Sequence, residues 1–465
     1  MVPELSLLLS LICREYISDQ SASDPTFTMA PVIFGQENPQ CRIPEVQARV
    51  ATFSLTMSLV GGILSAITSP KIGALSDRYG RKKLMFLGTG GVLANLILFL
   101  TAASYPETFP VRVLWVGSAV DGLCGSFIAA MALANSYASD CTPPAQRNIA
   151  FGRMHACLFA GIGFGPMLAA FLIDRTGTIL SVFYFALAAQ LSYLLFLAFV
   201  IPESLSKTRQ MAAREKYARE RMAAGDTGGW FSRMRSVNLF EPLKILYPTG
   251  PGSSPTLRRN LIALAAVDTI LFGVAMGSIT VVLIYTNYAF GWETIEQSLF
   301  KSVTSICRVI ALIVVLPLIV RAVRGKAEQQ LRSYRGGADR LDLTLIRTAV
   351  ALDTLGYVGF CLSKTGIMFT ISACITSFGG IGSPTLQSAL TKHVPSEKTG
   401  QLLGAIGLLH ALARVVAPTI FNGIYALTVG KVTQAVFVCL AATFGLAFVA
   451  SWFVRPGGKE HRFPD

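Results

Sequence analysis

Apolar runs of 18 or more residues recur along almost the whole of this 465-residue chain. In hydrocarbon every backbone N–H and C=O must find a partner within the protein, so runs of that length read as membrane-spanning α-helices. The runs and the breaks between them place spans near 50–71, 84–104, 111–139, 149–173 and 179–201 in the first half. The second half adds spans near 259–287, 297–320, 342–363, 366–391, 400–428 and 432–454, eleven in all. Composition agrees: 52% of the residues are hydrophobic and 14% charged, where roughly 25% charged is usual for soluble domains. The expected class is an all-α, multi-pass membrane protein.

The formal charge of +14 could suggest nucleic acid, but the cations cluster in alternate loops between apolar spans. That distribution is topology, since short basic loops stay in the cytoplasm. The basic loops include 202–258, 321–341 and the turn around Lys392 and Lys398. The opposite loops carry Asp24, Glu37, Glu45, Glu107, Asp174, Glu293 and Glu296 with few cations. This places 202–258 and the tail 456–465 in the cytoplasm and 18–49 outside. Residues 50–201 and 259–455 are then two helical bundles joined by the linker 202–258, whose opening Ser206–Gly225 has helix-forming composition. Residues 1–17 are too short to span and lack the basic start of a signal peptide. They are expected to be the remnant of a truncated first helix; the rival is an eleven-helix chain with an external start. The nine cysteines are scattered without a C-x-x-C pair, so neither a metal site nor a disulfide framework is expected.

The segment Gly73-Ala-Leu-Ser-Asp77-Arg78-Tyr-Gly80-Arg81-Lys82-Lys83 packs four cations and one carboxylate between two apolar spans. Near a helix centre each cation would cost roughly 2.5 to 3.5 kcal/mol, so this turn sits at a membrane face. The string G-x-L-S-D-R-x-G-R-K-K resembles the loop between helices two and three of the major facilitator superfamily. The resemblance implies two six-helix bundles, with the first helix incomplete here, and a loop that latches the halves together in one state of a transport cycle. Asp77 is expected near the N-terminus of a neighbouring helix, with Arg78, Arg81 and Lys82 facing lipid head groups. Gly73 and Gly80 would permit close backbone approach.

Further along, Gly152, Gly161, Gly165, Pro166 and Ala169 resemble the antiporter signature of the drug:proton branch, with alanine in place of the last glycine. Small residues at 161, 165 and 169 fall on one face and would admit a partner helix. Asp140 through Arg147 to Phe151-Gly152 resembles a passage shared by tetracycline exporters and proton-coupled folate transporters. Asp121 then stands where the exporters carry an arginine. On an unbroken helix Asp121 would share a face with Gly125, Ala129, Ala132 and Ser136, about 15 Å deep at 1.5 Å per residue. The second half is similar to the same group at Gly382-Ser-Pro384 through Gln387 and on to Gly404.

Ionisable residues inside spans are functional candidates. They are Asp121, Asp268, Lys301, Arg308, Asp353, His410 and Arg414, with Gln387 as a possible cavity group and His155 read as structural. Lys301 with Arg308, and His410 with Arg414, share helix faces by spacing. Asp121 is the first choice for the protonatable group. Arg308 and Arg414 would be charge partners or anion-binding groups, and Asp268 with Arg308 could be a structural ion pair.

The expected function is secondary transport of a small organic solute by proton-coupled alternating access, in a plasma or vacuolar membrane. The signature favours efflux by antiport; uptake of a folate-like organic anion, or a non-transporting remnant, are the alternatives. The expected partners are a small-molecule substrate, protons and the lipid bilayer, with the chain a monomer. No nucleic acid, cofactor, metal or catalytic residue is expected, because no set of nucleophile, base and oxyanion donors is apparent.

Overall fold

The computed structural model describes residues 2–23, 32, 38–41, 43–223, 241–249, 254–292, 294–331 and 337–456. Regular secondary structure among them is entirely helical. Eleven helical segments are long and apolar enough to cross a membrane, and each overlaps one of the expected spans. Sixteen α-helices are used below. The first eight are α1 (Val2–Ser23), α2 (Pro44–Tyr79), α3 (Arg81–Ser104), α4 (Val113–Leu123), α5 (Ser126–Cys141), α6 (Arg147–Thr176), α7 (Leu180–Phe199) and α8 (Lys207–Ala223). The others are α9 (Pro255–Phe290), α10 (Thr294–Ile310), α11 (Leu316–Leu331), α12 (Arg340–Leu362), α13 (Gly366–Gly379), α14 (Gly382–Thr391), α15 (Thr399–Thr428) and α16 (Ala435–Trp452).

Local chemistry sets several of these ends. Ser254 caps α9 by accepting from the Leu257 N–H, and Pro255 takes the first helical position, where no donor is needed. Gly291, at φ 65°, closes the same helix in the left-handed conformation that glycine adopts without strain. Asp339 and Asp342 form a reciprocal cap at the start of α12. The helix Lys207–Ala223 occupies most of the stretch whose composition favoured one. Residues 224–240 of the linker and 457–465 of the tail lie outside the described residues.

Val2–Ser23 form one 22-residue helix, which runs past the expected bound at residue 17. Three expectations are corrected. The signature segment is hardly a loop, because α2 runs to Tyr79 and α3 begins at Arg81, leaving only Gly80 (φ 99°) between them. A disulfide is present between Cys13 and Cys41, which the scattered spacing had not suggested. The third span is broken at Cys124–Gly125, with Gly125 and Ser126 at positive φ. The continuous face from Asp121 to Ala132 and Ser136 is therefore not formed.

The chain divides into two compact units that interleave along the sequence. The first comprises 1–68, 85–130 and 164–202. Its core gathers Leu7, Leu8, Leu11 and Ile12 of α1 with Phe99, Leu100, Leu114 and Phe183, and the disulfide ties α1 to the short helical turn Pro39–Cys41. The carbonyls near the α4–α5 break are met by hydroxyls, Thr68 Oγ1 to Gly122 O at 2.8 Å and Ser65 Oγ to Gly125 O at 2.9 Å. Such side chains are what allow a broken helix inside a membrane.

The second unit comprises 69–84, 131–163 and 203–465. Its core centres on Phe369, fully buried among the rings of Tyr285, Phe290, Phe300, Phe360 and Phe437, with the closest centroid, that of Phe360, at 4.3 Å. A smaller cluster joins Ala156 of α6 to Ala311, Leu312 and Leu316, where a π-helical stretch at Ala311–Val315 follows α10.

Candidate functional site

The signature residues build a dense buried network in the second unit. Gly80 lets the chain reverse, and its missing side chain leaves room for the Glu203 carboxylate, with which a Cβ would collide. Glu203 accepts from the N–H groups of Arg81 (2.8 Å) and Lys82 (3.1 Å), so an anion sits on the N-terminus of α3, where the helix dipole favours it. Asp77 does the same at α15, accepting from Gly400 N at 3.0 Å and Gln401 N at 2.8 Å.

Arg81 lies between two carboxylates, 2.6 Å from Asp77 Oδ1 and 3.0 Å from Asp140 Oδ2, with its side chain fully buried. This overturns the expectation that Arg81 faces lipid head groups: its guanidinium is shared out of water between the buried carboxylates of Asp77 and Asp140. Asp140 also accepts from Ser204 Oγ at 3.2 Å. The helices can come this close because the crossing is made of small residues. A Cβ on Gly73 would collide with Gly400 O, and one on Gly404 would lie 2.9 Å from Pro70 Cα. Arg78 is held differently. Its guanidinium lies 3.4 Å from the ring centre of Tyr217, while Arg214 donates from Nε to Arg78 O at 2.9 Å. Both partners belong to α8, so the linker helix docks on the signature residues. Lys82 is partly exposed.

A second buried network starts at the N-terminus of α6. Arg147 donates to Thr391 O (3.1 Å) and Ser139 O (3.2 Å). Asn148 donates to Asp342 Oδ1 at 2.7 Å and accepts from Ser388 Oγ. The other oxygen of Asp342 takes Lys392 Nζ at 2.6 Å and the Asp339 N–H at 3.0 Å. Gln387 accepts from Asn135 Nδ2. Sequence reasoning had singled out Arg147 and Gln387 but missed Asn148 and Asp342, and had counted Lys392 only as a loop cation. The capping pair at 339 and 342 was the one legible signal; nothing local marks Asn148.

The antiporter-like stretch packs differently from its expected face. A Cβ on Gly161 or Gly165 would meet nothing within 4 Å among the described residues, and Pro166 is exposed. The close contacts fall instead on Gly152, where a Cβ would come 2.7 Å from Leu316 Cδ2, and on Gly163, where it would come 2.9 Å from Ser305 Cβ.

Deeper in the helices, Asp268 of α9 pairs with His410 of α15 at 3.0 Å, rather than with Arg308. The imidazole stacks on Phe272 at a centroid distance of 4.2 Å, and Asp268 Oδ1 has no hydrogen-bond partner among the described residues. Arg308 of α10 lies 4.4 Å from the ring centre of Phe159. Asp353 is buried on α12 against Gly379, and Tyr357, one turn on, donates from its hydroxyl to Ser278 Oγ at 3.0 Å. His155 stays within its own helix, Nδ1 lying 3.0 Å from Phe151 O. Lys301 and Arg414 are exposed. Asp121 belongs to the first unit, is partly exposed, and stands three residues before the helix break.

The sequence matches the model of the Major Facilitator Superfamily over residues 26–418. The chain belongs to the major facilitator superfamily. It is 29% identical to the MFS-type transporter avaJ of Aspergillus versicolor, over all of this chain and 86% of that protein. It is 23% identical to the class H tetracycline resistance protein of Pasteurella multocida, with 84% of each chain covered. Among solved structures, the human organic anion transporter MFSD10 superposes with a TM-score of 0.66 at 17% identity, covering 97% of this chain and 98% of that one. This major facilitator is accordingly a multi-pass membrane protein of a transporter family, not an enzyme.

Proposed function

We propose that this major facilitator is a proton-driven secondary transporter that exports a small organic solute in exchange for protons. The observation that carries the reading is the Asp268–His410 pair, two titratable groups in hydrogen-bond contact inside the span, one carboxylate oxygen still open. Intramembrane carboxylate and imidazole groups are the usual relay for protons. A proton taken up by the pair changes the charge at the contact between α9 and α15, so protonation and the packing of these two helices are linked there. Asp121, beside a broken helix in the first unit, is the second proton candidate.

Alternating access requires that the ends of the helices open and close. The Asp77–Arg81–Asp140–Glu203 network and its counterpart at Asn148–Asp342–Lys392 act as two fastenings at the end that charge distribution assigns to the cytoplasm. Solute entry from that side requires both to part. The similarity to a tetracycline resistance protein supports the outward direction. The working form is a monomer in a plasma or vacuolar membrane.

Proteoliposomes loaded with a pH-sensitive dye test the reading. Adding solutes from a panel of drugs and metabolites should trigger proton movement through the native chain. Asp268→Asn should lose gradient-driven accumulation while keeping solute exchange at equilibrium. Driven accumulation of native size in both Asp268→Asn and Asp121→Asn would remove these carboxylates from coupling.

A further inference from the structure

Arg308 occupies an unusual position for a cation within a span. Its guanidinium lies on the face of Phe159 at 4.4 Å, and its Nε is buried without a hydrogen-bond acceptor among the described residues. It forms no ion pair there, although its residue is only partly buried. The opposite flank is backbone: a Cβ at Gly380 would collide with the guanidinium, and one at Gly379 with the Asp353 carboxylate. Those glycines mark the interruption between α13 and α14, while the π-helical stretch begins three residues after Arg308. Interrupted helices and π-bulges are where bundle proteins open backbone to ligands. The titratable groups around Arg308 are Lys301 on its own helix, Asp353 and Tyr357 on α12, and His155 on α6.

We infer that Arg308 is the recognition point for an organic monoanion, a carboxylate on a flat apolar body. The planar fork of a guanidinium matches a carboxylate two bonds at a time. With one face covered by Phe159, Arg308 offers its edge, so the anion is taken in the ring's neighbourhood, where a flat hydrocarbon body fits and a bulky hydrated one does not. Lys301 adds cationic character and works against organic cations. Asp353 sets the charge limit: one negative group balances the site, while a second would face a carboxylate. Dianions such as phosphate esters are therefore rejected. The inference rests on the transporter reading and names the class of its solute.

Binding to the purified full chain in nanodiscs tests it, with labelled benzoate as the probe and benzamide, benzylamine and phenyl phosphate as competitors. Benzoate should bind, and the amide, the amine and the phosphate should displace it at least about tenfold less well than unlabelled benzoate. Arg308→Gln should weaken benzoate by about tenfold or more, and Arg308→Lys, which keeps charge but not the fork, by less. If Arg308→Gln does not fold, Phe159→Leu serves in its place, and should weaken benzoate more than it weakens acetate. No specific benzoate binding, equal competition by benzamide, or unchanged binding in Arg308→Gln would overturn the assignment. A flux arm in proteoliposomes uses benzenesulfonate, a permanent anion that does not ferry protons across lipid. Intact anion binding without driven flux would defeat the transporter reading alone. Driven flux of benzylamine that is indifferent to Arg308→Gln would defeat the anion alone.

Discussion

Asp77→Asn offers the sharpest test of the fastening at the signature residues. The carboxylate now receives two backbone N–H groups and the Arg81 guanidinium. Hydrogen bonds to a charged group contribute about 1.5–3 kcal/mol each. Asparagine keeps one acceptor oxygen, turns an NH2 group toward an N–H donor and leaves Arg81 with Asp140 alone. The gross loss in this conformation is about 3 kcal/mol, and water in an opened conformation favours the carboxylate over the amide, which offsets part of it. The equilibrium should shift toward opening by about tenfold. Hydrogen–deuterium exchange of the full chain reads this directly, because the protected amides belong to Gly400 and Gln401 themselves. Exchange over 399–404 should accelerate by about that factor, and a peptide beginning at Arg147 should change far less, since its fastening shares no residue with Asp77. Native protection at 399–404 in the variant would refute the argument that Asp77 holds α15.

Other consequences are open to simpler measurements. Asp342→Asn takes from Lys392, 2% exposed, its carboxylate at 2.6 Å and leaves that of Asp339 at 4.0 Å; removing one partner of a buried pair costs about 3–5 kcal/mol, and the melting temperature in detergent should fall markedly. The double variant Asp342→Leu with Lys392→Met should recover most of that loss. Thiol titration of the denatured chain should count seven reactive cysteines before reduction and nine after, matching one Cys13–Cys41 bond among nine cysteines. Breaking that bond with Cys13→Ser should cost about 2–4 kcal/mol of stability. Gly404→Val should abolish transport without loss of expression, because the added methyls press on Pro70 and keep the α2–α15 crossing from forming.

Much of the fold was legible because crossing a membrane is decided locally. Eleven apolar runs corresponded to eleven helical spans among the described residues, and the motif at 73–83 marked the family. The candidate site was legible only in part. Asp77, Asp140 and Arg147 were singled out from motif spacing, yet Arg81 was expected among lipid head groups and lies fully buried between two carboxylates. Gly161 and Gly165 had the right spacing for a helix contact, but α6 is rotated so that Gly152 and Gly163 make it instead.

Transfer of a segment from water to lipid depends on the sum of its own side chains, so sequence determined the number and order of the apolar spans. Pairing across helices depends on rotation, crossing and interruptions that no single segment encodes. Asp268 therefore meets His410 across 142 positions rather than Arg308, and Asn148 meets Asp342 across 194. Cys13 joins Cys41 only because α1 and the turn at 39–41 bring their α-carbons within 5.6 Å. Those meetings belong to the tertiary structure, because they are set by geometry between elements rather than by free energy within one.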